Sequence, residues 1–124
     1  MIVHLDTSVL ISAIGGAAGP ALRQVIADRH RLQLSAVVLY EWLRGPRTEA
    51  ELEFQDAMFP SEQAIAFGAA EAHRAALLFS AVKRARGREI DLAIAACAIV
   101  HGAALWTMNK RDFADVPGLR LFST

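Results

Sequence analysis

Residues 90–107 read IDLAIAACAIVHGAALWT, and this stretch decides the fold class. From Leu92 to Val100 the residues are apolar on every side, which predicts a helix that is buried all round. His101 and Gly102 end that helix, and residues 104–107 follow as a short buried strand. A buried helix that leads into a buried strand is typical of a parallel sheet covered by helices.

The rest of the chain repeats this alternation of short strands and helices. The opening MIVHL favours a strand, and Ser35 is placed to cap the helix AVVLYEWLR, which Gly45 ends. One helix should bury a face made of Phe67, Ala70, Leu77, Leu78 and Ala81. We predict strands at residues 1–5, 32–34, 63–66, 104–107 and 119–122, helices at 9–14, 22–26, 36–44, 48–58, 67–81 and 90–100, and a loop or helical turn at 109–115. The expected fold is α/β, a three-layer α/β/α sandwich with a short central parallel sheet and right-handed crossovers.

Length and composition limit the function classes. With 124 residues, 54% apolar and 21% charged, the chain should form a single domain, 1–124, with one core. Thirteen basic and thirteen acidic residues cancel, so a polyanion site must come from local clustering. The lone Cys97 excludes an internal disulfide framework and an all-cysteine zinc site, and we expect it to be a small core residue. No secretory leader precedes the first apolar stretch, so we expect a cytoplasmic protein.

Four acidic residues are expected to meet at one edge of the sheet. Ligands of such folds bind beyond the carboxyl ends of the strands, where Asp6 follows the first strand directly. Asp112 follows the strand 104–107, and Asp91 begins the buried helix that leads into that strand. Glu41 lies one to two turns into the helix after the second strand. Converging carboxylates repel, and oxygen ligands alone favour Mg²⁺ or Mn²⁺ over zinc.

Each acid also has a purely structural interpretation. Asp6 could only cap a helix, and Asp91 could only favour the positive end of a helix dipole. Asp112 could be a solvated loop residue. Glu41 is the only charged residue between Arg31 and Arg44, and Arg44 three residues on could pair with it at the surface.

A basic tract could hold the phosphates of a nucleic acid. Its members are Lys83, Arg84, Arg86 and Arg88, and Lys110 and Arg111 beside Asp112 could join them. The structural alternative is a solvated helix end that the dipole favours. Tyr40 and Trp42 could stack on bases, but their apolar neighbours favour core or dimer contacts.

The pieces LDTSVLI, VxxxEWLRG, EIDLAIAACA and WTMNKRDF followed by PGLRL occur in this order across nearly the whole chain. Together they resemble the PIN-domain ribonucleases, and among them the VapC-type toxins of toxin–antitoxin pairs. The resemblance implies an acidic quartet of Asp6, Glu41, Asp91 and Asp112 that holds Mg²⁺, with Ser8, Thr107 and Asn109 supporting it. His4 departs from the family pattern, because a polar residue stands inside the first strand.

The resemblance also implies an activity and partners. RNA would be hydrolysed by metal-activated water, leaving a 5′ phosphate, with a structured RNA as a plausible substrate. A VapB-type antitoxin would silence the toxin by occupying the acidic groove, and the toxin would be a homodimer.

Two other functions stay open. The chain could be a phosphotransferase with Asp6 as the phosphorylated nucleophile, although Ser8 stands where such sites usually carry a second acid. It could also be a non-catalytic module that keeps the fold and binds a protein or RNA. A nucleotide-cofactor fold is disfavoured, because no G-x-G-x-x-G turn follows the first strand.

Overall fold

The computed structural model describes residues 1–124, and its centre is a parallel sheet of three short strands. These are β1 (Ile2–Leu5), β2 (Arg31–Gln33) and β3 (Ala104–Trp106), in the spatial order β2-β1-β3. Val3 of β1 lies opposite Leu32 on one side and Ala104 on the other. The predicted parallel sheet is therefore confirmed, and its carboxyl edge lies just beyond Leu5 and Trp106.

Seven helices surround the sheet. They are α1 (Thr7–Gly15), α2 (Gly19–Ala27), α3 (Ala36–Arg44), α4 (Glu49–Met58), α5 (Ala69–Ala81), α6 (Glu89–Val100) and α7 (Lys110–Phe113). Helix α1 packs against α2, α3 and α4, while α6 packs against α5 and α3. No single helix is long and apolar enough to cross a membrane; α1 and α2 together reach that length and composition, but they bend by 108° at their junction.

Both faces of the sheet are covered. Val3, His4 and Leu5 are consecutive in β1, and none is more than 1% exposed. Because successive side chains of a strand point to opposite faces, burial of all three requires helices on both sides. The expected three-layer α/β/α arrangement is confirmed. Cys97 is fully buried in α6, as predicted, and burial raises the pKa of its thiol to about 11.

Local capping explains where several helices begin and end. The Ser35 hydroxyl accepts the Val38 N–H at 3.2 Å, which confirms the predicted cap of α3. Thr48 and Glu51 form a reciprocal capping box at the start of α4. After α6 the chain turns at Gly102 with φ of 64°, a left-handed conformation that glycine adopts without a steric penalty. This turn directs the chain from the buried helix into β3.

Two predicted strands are not continuous strands. Residues 63–66 begin in a 3₁₀ turn, Ser61–Gln63, and only Ile65 forms a bridge, to Ser35. Residues 119–122 likewise pair through Leu121 alone, opposite Leu105. In both segments a single residue pairs with the sheet, which is too few to form a strand.

The predicted apolar face of α5 is wrong except at Leu78, the only one of its five residues that is buried. Leu77 is 65% exposed and Phe67 lies outside the helix, whereas Glu71 and Leu78 are the buried residues. Glu71 turns inward because its carboxylate accepts the Gly68 N–H at 2.9 Å and contacts His101 Nε2 at 3.1 Å. Polar pairing, which a hydrophobic pattern does not reveal, decides how α5 is rotated.

The polar residue inside β1 has a partner. His4 Nε2 donates to the Gln33 Oε1 of β2 at 2.8 Å, and its ring stacks on His101 at 6.0 Å between centroids. Burial lowers the pKa of His4, which favours the neutral ring. Local hydrogen bonding and stacking therefore accommodate this polar residue inside the strand.

Candidate active site

Asp6 stands at the carboxyl end of β1, where the strand passes into α1. Its backbone N–H donates to the Trp106 carbonyl at 2.9 Å, which extends the pairing of β1 with β3 by one residue. Asp6 occupies the N-cap position of α1, yet its side chain makes no capping hydrogen bond. Helix capping therefore does not explain why an acid stands at this position. Asp6 as a whole residue is only 4% exposed.

Two hydroxyl groups hold the Asp6 carboxylate from one side. Ser8 Oγ and Thr107 Oγ1 donate to Asp6 Oδ2 at 2.8 and 2.7 Å. Each hydroxyl accepts a backbone N–H in turn, from Met108 at 3.0 Å and from Asn109 at 3.0 Å. Both hydroxyl protons are thus directed to Oδ2, while Asp6 Oδ1 makes no hydrogen bond with the protein.

Glu41 is held by a residue that the sequence analysis did not single out. Thr7 Oγ1 donates to Glu41 Oε1 at 2.6 Å, which joins the first turn of α1 to α3. Arg44, the proposed structural partner, approaches Glu41 Oε2 at only 3.4 Å, and its own side chain is 52% exposed. An ion pair that is this long and this exposed contributes little to stability. Thr7 is the stronger partner, and no spacing in the sequence indicated that it faces α3.

Asp91 lies in the first turn of α6 and is half-buried. Its pKa is raised from 3.8 to about 6, chiefly because burial disfavours the ionised form. Repulsion from Asp6, Glu41 and Asp112 raises the pKa further, and Arg88 lowers it in part. Three of the predicted acids therefore lie close enough to the fourth, Asp91, to disfavour its ionised form, and Arg88 offsets this only in part.

Asp112 belongs to the short helix α7 and is exposed. Its backbone N–H donates to the Asn109 carbonyl at 2.9 Å, and its carbonyl accepts from Arg88 Nη2 at 3.0 Å. The carboxylate itself has no hydrogen bond with the protein. Asn109 precedes α7 and its side chain makes no capping bond.

The four carboxylates converge without forming a closed ligand cluster. No group of three or more His, Cys, Asp or Glu side chains lies close enough together to hold a metal ion. The donor chemistry nevertheless suits a hard divalent cation, because the side chains involved are carboxylates with excess negative charge. The assignment of these residues as metal ligands stays a prediction.

The predicted phosphate-binding residues fall into two groups. Lys83, Arg84, Arg86 and Arg111 are exposed and make no side-chain hydrogen bond. Lys110 Nζ donates to Ser123 Oγ at 2.8 Å. Arg88 differs from all of these, because both oxygens of Asp115 hold its guanidinium at 3.0 and 2.7 Å.

Several solved structures share the fold over almost the whole chain. The DNA-bound VapBC from Salmonella typhimurium matches with a TM-score of 0.79 at 20% identity, covering 98% of this chain and 97% of that one. VapBC2 from Rickettsia felis bound to a promoter DNA fragment matches with a TM-score of 0.73 at 23% identity, covering 98% of each chain. A toxin–antitoxin complex from Klebsiella pneumoniae matches with a TM-score of 0.71 at 24% identity, covering 94% of each.

The comparison of sequences assigns the family. No curated protein matches the chain. The family model described as "PIN domain" matches residues 3–119, which include all four acids of the candidate site. The chain therefore belongs to the PIN-domain family.

Proposed function

We propose that this chain is a Mg²⁺-dependent endoribonuclease toxin of the VapC type, neutralised by a VapB-type antitoxin. The observation that carries the proposal is that Asp91 is half-buried near Asp6, Glu41 and Asp112: burial is the main reason that its pKa is raised to about 6, and the three neighbouring charges add to it. A carboxylate with a strongly raised pKa, close to acids from other segments beyond the ends of parallel strands, is typical of a functional site. Membership of the PIN-domain family supports a nuclease.

The residues at this edge have distinct parts in the proposed reaction. Asp6, Glu41, Asp91 and Asp112 would hold Mg²⁺, or Mn²⁺ in its place. When bound, the cation supplies an activated water and polarises the phosphoryl oxygen for in-line attack. Ser8 and Thr107 orient Asp6 so that Oδ1 stays open to a ligand. The bond between phosphorus and the 3′ oxygen breaks, which leaves a 5′ phosphate.

Exposed cations next to the acids would bind the RNA backbone. Lys83, Arg84 and Arg86 precede the helix that carries Asp91, and Lys110 and Arg111 flank Asp112. Their charges would attract phosphates that the carboxylates alone would repel. The RNA substrate is therefore expected to cross between the basic tract and α7.

The partners belong to the same proposal. The structures with this fold include complexes named VapBC, which supports a VapB-type antitoxin as the partner. Tyr40 and Leu43 of α3 and Leu77 and Phe79 of α5 are 40% exposed or more, which leaves apolar surface for a homodimer. The proposed location is the cytoplasm, with residues 1–124 acting as one domain.

A second candidate is a non-catalytic PIN-fold module that binds RNA or protein. It is favoured by the absence of any group of three or more metal-binding side chains at ligand distance. The two candidates differ in whether bound RNA is cut.

Asp6→Asn and Asp91→Asn should each lower RNA cleavage by at least about 100-fold, because each removes a charge that holds the cation. Cleavage of labelled RNA in Mg²⁺ buffer measures the effect, and excess chelator should abolish wild-type activity. Glu53→Gln, an exposed acid on α4, is the matched control and should cut normally. Equal cleavage by wild type and both site variants would defeat the nuclease proposal, and RNA binding without cleavage by wild type would favour the binding module.

Asp91→Asn should stabilise the metal-free protein at pH 7. The pKa of Asp91 rises from 3.8 to about 6 on folding, so the folded chain binds more protons between about pH 4 and pH 6. The free energy of unfolding of wild type therefore falls as pH rises through that interval. We expect the variant to be more stable by roughly 1 kcal/mol at pH 7, allowing for solvent screening, and the gain to vanish near pH 4. Denaturant unfolding in chelator tests this, and a gain that does not depend on pH would contradict it.

Thr7→Val should weaken the site while Thr7→Ser preserves it. The hydroxyl donates to Glu41 at 2.6 Å, and valine keeps the shape of threonine but cannot orient the carboxylate. We expect the Mg²⁺ concentration for half-maximal cleavage to rise about tenfold in Thr7→Val. If serine and valine variants respond alike to Mg²⁺, the hydroxyl has no part in orienting Glu41.

A further inference from the structure

Both terminal nitrogens of Arg88 are engaged within the protein, although its place in the basic tract suggested a contact with RNA. Nη1 donates to Asp115 Oδ2 at 3.0 Å and to the Lys83 carbonyl at 3.1 Å. Nη2 donates to Asp115 Oδ1 at 2.7 Å and to the Asp112 carbonyl at 3.0 Å. The side chain of Arg88 is only 22% exposed. The donors of Nη1 and Nη2 are directed to internal acceptors, so this end of the guanidinium is not free for a phosphate.

These contacts join the segments that carry two of the four acids. Arg88 is the N-cap residue of α6, three positions before Asp91. Asp115 follows α7, three positions after Asp112. The bidentate pair and the bond to the Asp112 carbonyl therefore tie the start of α6 to α7 across the candidate site.

The short helix α7 needs such support. It has four residues, fewer than an isolated helix requires for stability in water. Phe113 and Val116 anchor it in the core, at 2% and 5% exposure. Those two apolar anchors set the depth of α7, whereas the directional bonds of Arg88 determine how its polar side faces α6.

The chemistry of the pair requires arginine. A guanidinium presents a planar fork that can bind both oxygens of one carboxylate and still donate to two carbonyls. A lysine ammonium lacks that geometry. Asp115 also offsets the charge of Arg88, and pairing with Asp115 is the main reason that the pKa of Arg88 is raised. Because Asp115 offsets the charge of Arg88, the pair can lie beside the acids without itself neutralising them.

We infer that Arg88 and Asp115 form a positioning pair that fixes α7 against the start of α6 and thereby sets where Asp112 lies relative to Asp91. The inference rests on the proposed function, since it concerns the same site. It assigns a part to Asp115, which lies outside the acidic quartet, and it removes Arg88 from the set of RNA-binding residues.

Calorimetric titration of metal-free protein with Mn²⁺ tests the pair. Arg88→Lys and Asp115→Asn should each weaken Mn²⁺ binding about tenfold or more, as loss of a residue that orients metal ligands commonly does. Arg74→Lys, an exposed arginine of α5 without side-chain hydrogen bonds, should bind Mn²⁺ within about twofold of wild type, and so should Asp28→Asn, an exposed acid at the end of α2. Hydrogen exchange supplies a second readout without metal. The Asp112 and Val116 amides should exchange faster in Asp115→Asn, while those of β1 and β3 stay protected.

The outcomes separate this inference from the function on which it rests. If wild type binds no Mn²⁺, the proposed metal site fails, and the positioning of its ligands fails with it. If wild type binds Mn²⁺ and both variants bind it equally well with unchanged exchange of α7, the positioning pair is overturned and the metal site survives. RNA affinity that rises in Asp115→Asn with Mn²⁺ binding unchanged would instead return Arg88 to the RNA-binding set.

Discussion

Repulsion among carboxylates at the carboxyl edge of the sheet is the constraint on which the rest of this structure depends. At Asp91 burial is the main reason that the pKa is raised to about 6, and repulsion from three neighbouring acids raises it further. Folding gathers charges that would be more stable apart in water. We expect the unfavourable free energy of bringing these acids together to be offset when a cation binds. Natural proteins commonly accept local instability at functional sites.

The groups around the acids hold the carboxylates in place without neutralising their negative charge. Neutral hydroxyls from Ser8 and Thr107 hold Asp6, and Thr7 holds Glu41. Arg88 is a cation, but Asp115 takes up its charge through two short hydrogen bonds. Orientation therefore comes from groups that add little net positive charge, so the acids keep most of their negative charge. Hydrogen bonds to the backbone of Met108 and Asn109 make the loop after β3 part of the same network.

Much of the fold and the location of the site could be predicted because both depend on local rules. The all-apolar stretch of α6 required a buried helix, and parallel strands bring residues such as Asp6 and Thr107 to one edge. Partners that depend on side-chain orientation across separate helices could not be predicted. Thr7 faces Glu41 only because α1 packs on α3, and Arg88 resembled its exposed neighbours in a basic tract. The rotation of α5 was missed for a related reason, since Glu71 is buried with hydrogen-bonding partners at Gly68 and His101 that a hydrophobic pattern does not reveal.

Anomalous diffraction from crystals soaked in Mn²⁺ tests the central claim most directly, because it locates the cation without relying on activity. The account predicts one strong peak at the carboxyl edge of the sheet, with oxygens of Asp6 and Asp91 at about 2.1 Å, a distance typical of small hard cations. Small movements of Glu41 or Asp112 toward the ion would accompany it. Manganese bound only elsewhere on the surface, with these four carboxylates still apart and open to solvent, would contradict the account.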